Sequence, residues 1–143
     1  MQGKETADGF MVLKLDDGED VMECLHKAIK DFHISSAFVT AGVGMLRDAE
    51  IGYFTGKGYE KKHLDKPHEM ISLQGSISTM GETIIHLHCG LANENHQIVG
   101  GHLFSAKACV LNEILIKKVD VKLGRKLNPE TGLKELYIAE GWA

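Results

Sequence analysis

The chain has 143 residues, a formal net charge of −4, and 43% apolar and 25% charged residues. That length suits a single domain, residues 1–143, which removes roughly 70% of the unfolded chain's surface from water on folding. The acidic balance argues against a strong non-specific grip on phosphate backbones, which needs clustered Lys and Arg.

Cys24, Cys89 and Cys109 form an odd set without a CxxC, so reduced thiols in a cytoplasmic setting are expected. The opening "MQGKETADGF" lacks an apolar run of signal-peptide length. No stretch approaches the ~20 apolar residues of a membrane span. A soluble protein without a membrane partner is therefore expected.

In chain order, residues 10–15 read as a strand ending in an Asp/Gly turn. The period then changes. Val21, Leu25, Ala28, Ile29 and Phe32 fall on one helical face, with Asp17 or Asp20 placed to cap it. "SAFVTAGVG" (36–44) predicts a buried strand. "AEIGYFTG" and "YEKKHLD" predict strands joined by the turn at Gly56 to Gly58. "EMISLQGSIS" (69–78) is another strand, and "TIIHLHCGLA" and "QIVGGHLF" are two more around the polar tip "NEN". "SAKACVLNEILIKKVDV" (105–121) reads as a long strand or an apolar helix, and the β-branched residues from Ile114 onward favour strand. A polar tail from about 124 has turn signals at Asn128-Pro129 and Thr131-Gly132 and a short strand at "LKELYI". The balance predicts an α+β domain: a largely antiparallel β-sheet with one main amphipathic helix packed on it.

The chemistry concentrates in residues 84–104, which hold four of the eight histidines. In a strand, residues two apart share a face, so His86 and His88 point together. If the hairpin closes through Asn93, Glu94 and Asn95, residue 86 pairs with 102 and residue 88 with Gly100. His102 then joins the same face. A five-residue loop centred on Glu94 preserves this parity, and a two-residue loop reverses it. His96 lies at the tip and Cys89 on the opposite face. Three converging imidazoles suit Zn²⁺ or another borderline divalent ion and leave a coordination position open. Gly100 and Gly101, without side chains, would leave room for the ion and a water. The competing reading is that His86 and His88 are ordinary hydrogen-bonded strand residues.

Three motifs resemble one family. "GGHLFSA" (100–106) after "HLH" (86–88), "AGVGMLRDAEIGYF" (41–54) and "HEMISLQGSIS" (68–78) are similar to the plants-and-prokaryotes-conserved (PPC) domain, in order, from about Phe10 to Leu133. The resemblance implies an antiparallel α+β domain assembled as a homotrimer. It also implies metal binding in some prokaryotic members, at positions matching His86, His88 and His102 here. Plant members carry the domain beside AT-hooks, and prokaryotic members are often named as DNA-binding on that association alone. An AT-hook needs an Arg-Gly-Arg-Pro core to enter the minor groove. "LGRKLNP" (123–129) lacks it, so DNA is a partner here by resemblance only. Lys117, Lys118, Lys122, Arg125 and Lys126 could form a basic patch in an oligomer, or simply a solvated face.

Arg47 and Glu69 are the remaining candidates. Arg47 could anchor an anion, or pair with a carboxylate such as Glu69. Glu69 could orient a metal-bound imidazole or act as a general base, or be an ordinary interface carboxylate. Two functional readings follow: a trimeric metal-binding regulatory module of the PPC type, and a small zinc-dependent metalloenzyme with an open coordination position.

Overall fold

A computed structural model describes residues 1–140. The last three residues of the expected tail, 141–143, lie outside the described residues. Nine strands and one helix form among those described: β1 (Gln2–Glu5), β2 (Phe10–Asp16), α1 (Val21–Asp31), β3 (Ser36–Phe54), β4 (Tyr59–Leu64), β5 (His68–Ser78), β6 (Ile84–Ala92), β7 (Ile98–Lys118), β8 (Leu123–Leu127) and β9 (Lys134–Ile138).

This corrects the expected α+β class. The helix forms where its periodicity lies, but it is only 11 residues long. The protein is predominantly antiparallel β structure carrying one short helix. Asp20 caps α1 by accepting from the Glu23 N–H at 2.9 Å, and Val21, Cys24, Leu25 and Ala28 are its buried stripe. A stripe at i, i+3, i+4 and i+7 covers one patch of sheet. The strands supply nearly all the rest of the core.

The seven-stranded sheet runs β1-β2-β7-β6-β5-β3-β4, and β7 also pairs with β3. The ladder β7-β6-β5-β3 thus closes on itself. Two long strands make this possible: β3 has 19 residues and β7 has 21, and register shifts along their shared ladder let both bend. Met11, Leu13, Leu15, Leu73, Ile77, Leu87, Leu91, Leu103, Ile114 and Ile116 fill the interior. Each such side chain contributes about 1.5–3 kcal/mol on leaving water.

The segment expected as a polar tail is a folded hairpin. β8 pairs with β9 from Leu123↔Ile138 to Leu127↔Lys134. Leu123 and Gly124 are buried, and the Leu123 N–H donates to Ser36 Oγ at 3.0 Å. The hairpin therefore lies against the main sheet. Among the described residues no helix is long and apolar enough to cross a membrane.

Candidate metal centre

Strand alternation sets the histidines outward. In β6, Leu87, Cys89 and Leu91 are buried, which turns His86 and His88 to the outer face. In β7, Leu103 is buried, so its neighbour His102 faces out as well. The register differs from the expected one by two residues. His88 pairs with His102, and Gly90 with Gly100. The loop is one of five residues, Asn93 to Gln97, because Asn93 Oδ1 accepts from the N–H groups of Asn95 (2.9 Å) and Gln97 (3.0 Å) and holds a wider turn. A shift of two preserves face, so the three rings still meet. His96 adopts a left-handed φ of 63° in that turn, away from them.

The glycines before His102 act otherwise than expected. A Cβ on Gly100 would sit 2.2 Å from the Cys89 carbonyl oxygen, and one on Gly101 2.4 Å from that of Gly52. They permit close approach of β7 to β6 and β3; they are not empty space reserved for an ion.

The Nε2 atoms of His86 and His88 lie 3.2 Å apart, and one ligand atom from each of the three histidines lies within 4.8 Å of the others. The His86 and His102 rings stack at 5.2 Å, and the Tyr59 and Phe104 rings flank His102 at 4.9 and 4.5 Å. Gly52 makes room for this packing, since a Cβ there would meet the Phe104 ring at 2.5 Å. Burial, then the charges of His86, His88 and Lys61, pushes the His102 pKa down to about 4. Burial, then His88 and Arg125, lowers that of His86. Both rings are therefore neutral at neutral pH and keep a lone pair free for a cation.

The donor set fits a divalent ion. Tetrahedral Zn–N bonds of about 2.0–2.1 Å place their nitrogens roughly 3.3–3.4 Å apart, close to the observed 3.2 Å between His86 and His88. The buried His102 Nδ1 has no hydrogen-bond partner among the described residues. An orphaned buried polar atom costs about 1–3 kcal/mol, so this ring lacks a partner that the chain itself does not supply.

Arg47 and Glu69 lie elsewhere. Arg47 pairs with Asp17 at 2.7 Å, and Asp17 also accepts from the Val110 N–H at 2.9 Å. Glu69 is exposed on β5, whose Gln74 and Ser76 are the residues opposite His88 and His86. Its cross-strand partner Ala92 is four residues along β6 from His88 and six from His86, which puts Glu69 roughly 13–20 Å away.

Sequence reasoning did not single out Arg125 as a site residue. Its guanidinium turns inward from β8 and donates to Ser76 Oγ (2.7 Å), Ser78 Oγ (3.4 Å) and the Lys134 carbonyl (3.3 Å). Ser76 is the cross-strand partner of His86, so the cation stands beside the cluster. The signal was available: "LGRKL" and "LKELYI" flank the Asn-Pro/Thr-Gly turn as two halves of a hairpin. Three of the five basic residues weighed as a patch or a solvated face have partners of their own, Arg125 among them. Lys118 pairs with Glu5, and Lys117 lies over the Phe10 ring.

The family model described as the Plants and Prokaryotes Conserved (PCC) domain matches residues 2–120. A solved protein of Ralstonia eutropha JMP134, provisionally named as DNA-binding, is 26% identical, with a TM-score of 0.84 over 96% of each chain. The metal-containing protein AF0104 of Archaeoglobus fulgidus is 27% identical, with a TM-score of 0.80 over 96% of this chain and 99% of that one. The bifunctional protein GlmU of Synechococcus sp. (strain JA-2-3B'a(2-13)) is 28% identical over 130 residues, 88% of this chain. The chain spans about one fifth (20%) of the length of that curated relative.

Proposed function

The chain belongs to the Plants and Prokaryotes Conserved (PCC) domain family, and on that premise we propose a binding module whose His86, His88 and His102 hold a divalent metal ion, Zn²⁺ first. The convergence of three outward imidazoles, with ligand atoms within 4.8 Å of one another, carries this reading. The similarity to a metal-containing archaeal protein supports it. When bound, the ion supplies a Lewis-acidic centre with room for a further ligand. The protein's own part is to orient the rings: Tyr59 and Phe104 clamp His102, and Arg125 sits beside His86 through Ser76. We favour a binding or regulatory role over hydrolysis, because Glu69, the carboxylate considered as a general base, is remote from the rings.

We read residues 1–143 as one domain and its assembly as a homotrimer. The outer face of β2, β7 and β3 supports the second point: Val12, Phe38 and Val43 are 51%, 38% and 48% exposed on adjoining strands. The likeness to a provisionally named DNA-binding protein makes DNA a partner worth testing, and the net charge of −4 argues against it.

Elemental analysis of untagged protein tests the metal. Wild type is expected to hold about one zinc per chain, and a His86→Ala/His88→Ala variant almost none. Equal content in both would remove the site. Sedimentation equilibrium tests the trimer, and a monomeric mass would reject it.

A further inference from the structure

Beside the histidines lies a cavity of about 520 Å³ between the outer face of the main sheet and the β8–β9 hairpin. His86, His102 and Arg125 line its polar side, and Ile84, Ile85, Leu133 and Leu136 its apolar side. Arg125 is half-buried, and burial lowers its pKa. No carboxylate pairs with it among the described residues; its partners are two hydroxyls and one carbonyl. Those three bonds use Nε and one N–H on each terminal nitrogen. One N–H on each terminal nitrogen is left over, the donor pair that a planar carboxylate accepts bidentately.

The surroundings narrow the anion. Lys134, also in the wall, is already paired with Glu82. Glu135 lines the cavity with a negative charge and accepts from Asn128 Nδ2 at 2.9 Å. One unpaired cation facing one carboxylate in the wall suits a monoanion and disfavours a phosphoryl dianion. The four aliphatic side chains then need an apolar body to cover them.

We propose that this cavity binds a small monocarboxylate with an apolar body, its carboxylate paired with Arg125 and its hydrocarbon part against Ile84, Ile85, Leu133 and Leu136. The proposal rests on the metal reading in one respect: an ion held by His86 and His102 adds a second positive charge at the cavity wall. The anchor itself is Arg125.

Calorimetric titration with hexanoate tests this, using hexanol and inorganic phosphate as comparisons, on zinc-loaded and chelator-stripped protein. Saturable hexanoate binding is expected, tighter with zinc, with hexanol and phosphate each at least ~10-fold weaker. Arg125→Gln is expected to weaken hexanoate at least ~10-fold in chelator-stripped as well as in zinc-loaded protein, so that the loss is independent of the metal. Absence of hexanoate binding in both states overturns the proposal, as does equal binding of hexanol or phosphate, or an unchanged Arg125→Gln. If zinc fails to bind while stripped protein still takes hexanoate through Arg125, the metal reading falls and this one stands. If Arg125→Gln does not fold, the hexanoate–hexanol comparison on wild type decides.

Discussion

His88 stands directly across the β6–β7 ladder from His102, and their rings meet edge to face at 5.7 Å. The two have unequal structural duties. His88 is exposed, whereas His102 is half-buried between Tyr59 and Phe104. His88→Ala is therefore expected to leave the stability of metal-free protein within ~0.5 kcal/mol of wild type while reducing zinc affinity more than ~100-fold. His102→Ala should lose both, since it also opens a gap in the aromatic packing. Competition with a chromogenic chelator, beside urea unfolding of stripped protein, separates the two effects. Equal zinc affinity of His88→Ala and wild type would remove His88 from the ligand set.

Metal-free protein should respond to pH through the same ring. His102 titrates near 4 in the folded chain, mainly through burial, against an ordinary value of 6.5. Between those values the unfolded chain binds a proton that the folded chain does not. Stability therefore falls as pH is lowered from about 6.5 towards about 4. The paired carboxylates act lower. Asp16, Asp17 and Glu19 are held below their ordinary range by the Lys14 ammonium, the Val110 N–H and Arg47, and the N-terminal ammonium respectively. Their stabilisation is present above the ordinary carboxylate range and is lost only as pH falls through their lowered values. Urea midpoints of stripped wild type and His102→Gln should thus diverge as pH rises from about 4 to about 6.5, with the variant flatter across that window and the two parallel above it. Parallel curves between about pH 4 and 6.5 would reject the burial of a neutral His102.

The face-sharing of His86, His88 and His102 was legible because parity survives an even error. The register came out two residues from the expected one, through the Asn93-centred turn, and the rings still met. The helix at 21–31 was equally legible, with its cap at Asp20. Its weight in the fold was not. A clear 3.6-residue period stands out more in a sequence than long strands do, so one 11-residue helix suggested an α+β class that the strands outweigh. The continuity of β3 and β7 was hidden because glycines and bulges break the alternation at Gly42, Gly44 and Val110. Arg125 was missed because its partners, Ser76 and Ser78, are some fifty residues away and look like surface hydroxyls until the hairpin covers them.

Gly101 tests how closely the strands must approach. It holds φ 148°, and an added Cβ would meet the Gly52 carbonyl oxygen at 2.4 Å. Gly52 is the β3 partner of His102. Gly101→Ala is therefore expected to destabilise by more than ~1–3 kcal/mol and to weaken zinc binding by displacing His102. Gly58→Ala is the control, because nothing lies within 4 Å of its Cβ position; it should change stability by less than ~0.5 kcal/mol. Denaturant midpoints measured at constant slope check both. A neutral Gly101→Ala would show that β7 can move away from β3 without loss.

Val110 sits at φ 65°, a region a β-branched residue occupies only under constraint, and its side chain is 64% exposed. The constraint is visible. β7 carries two extra residues between the pairs Gly44↔Asn112 and Met45↔Cys109, and Asp17 accepts from the Val110 N–H at 2.9 Å while Arg47 holds Asp17 at 2.7 Å. The left-handed conformation costs an L-residue about 1–2 kcal/mol. Glycine removes that cost and adds about 0.5–1 kcal/mol of unfolded-chain entropy. Little burial is lost, so Val110→Gly is expected to leave stability unchanged or raise it by up to ~1 kcal/mol. Asp17→Ala should instead lower the unfolding midpoint by releasing both Arg47 and the bulge. A fall of more than ~1 kcal/mol in Val110→Gly would mean that the Val110 side chain itself, and not the Asp17 anchor, holds the bulge in place.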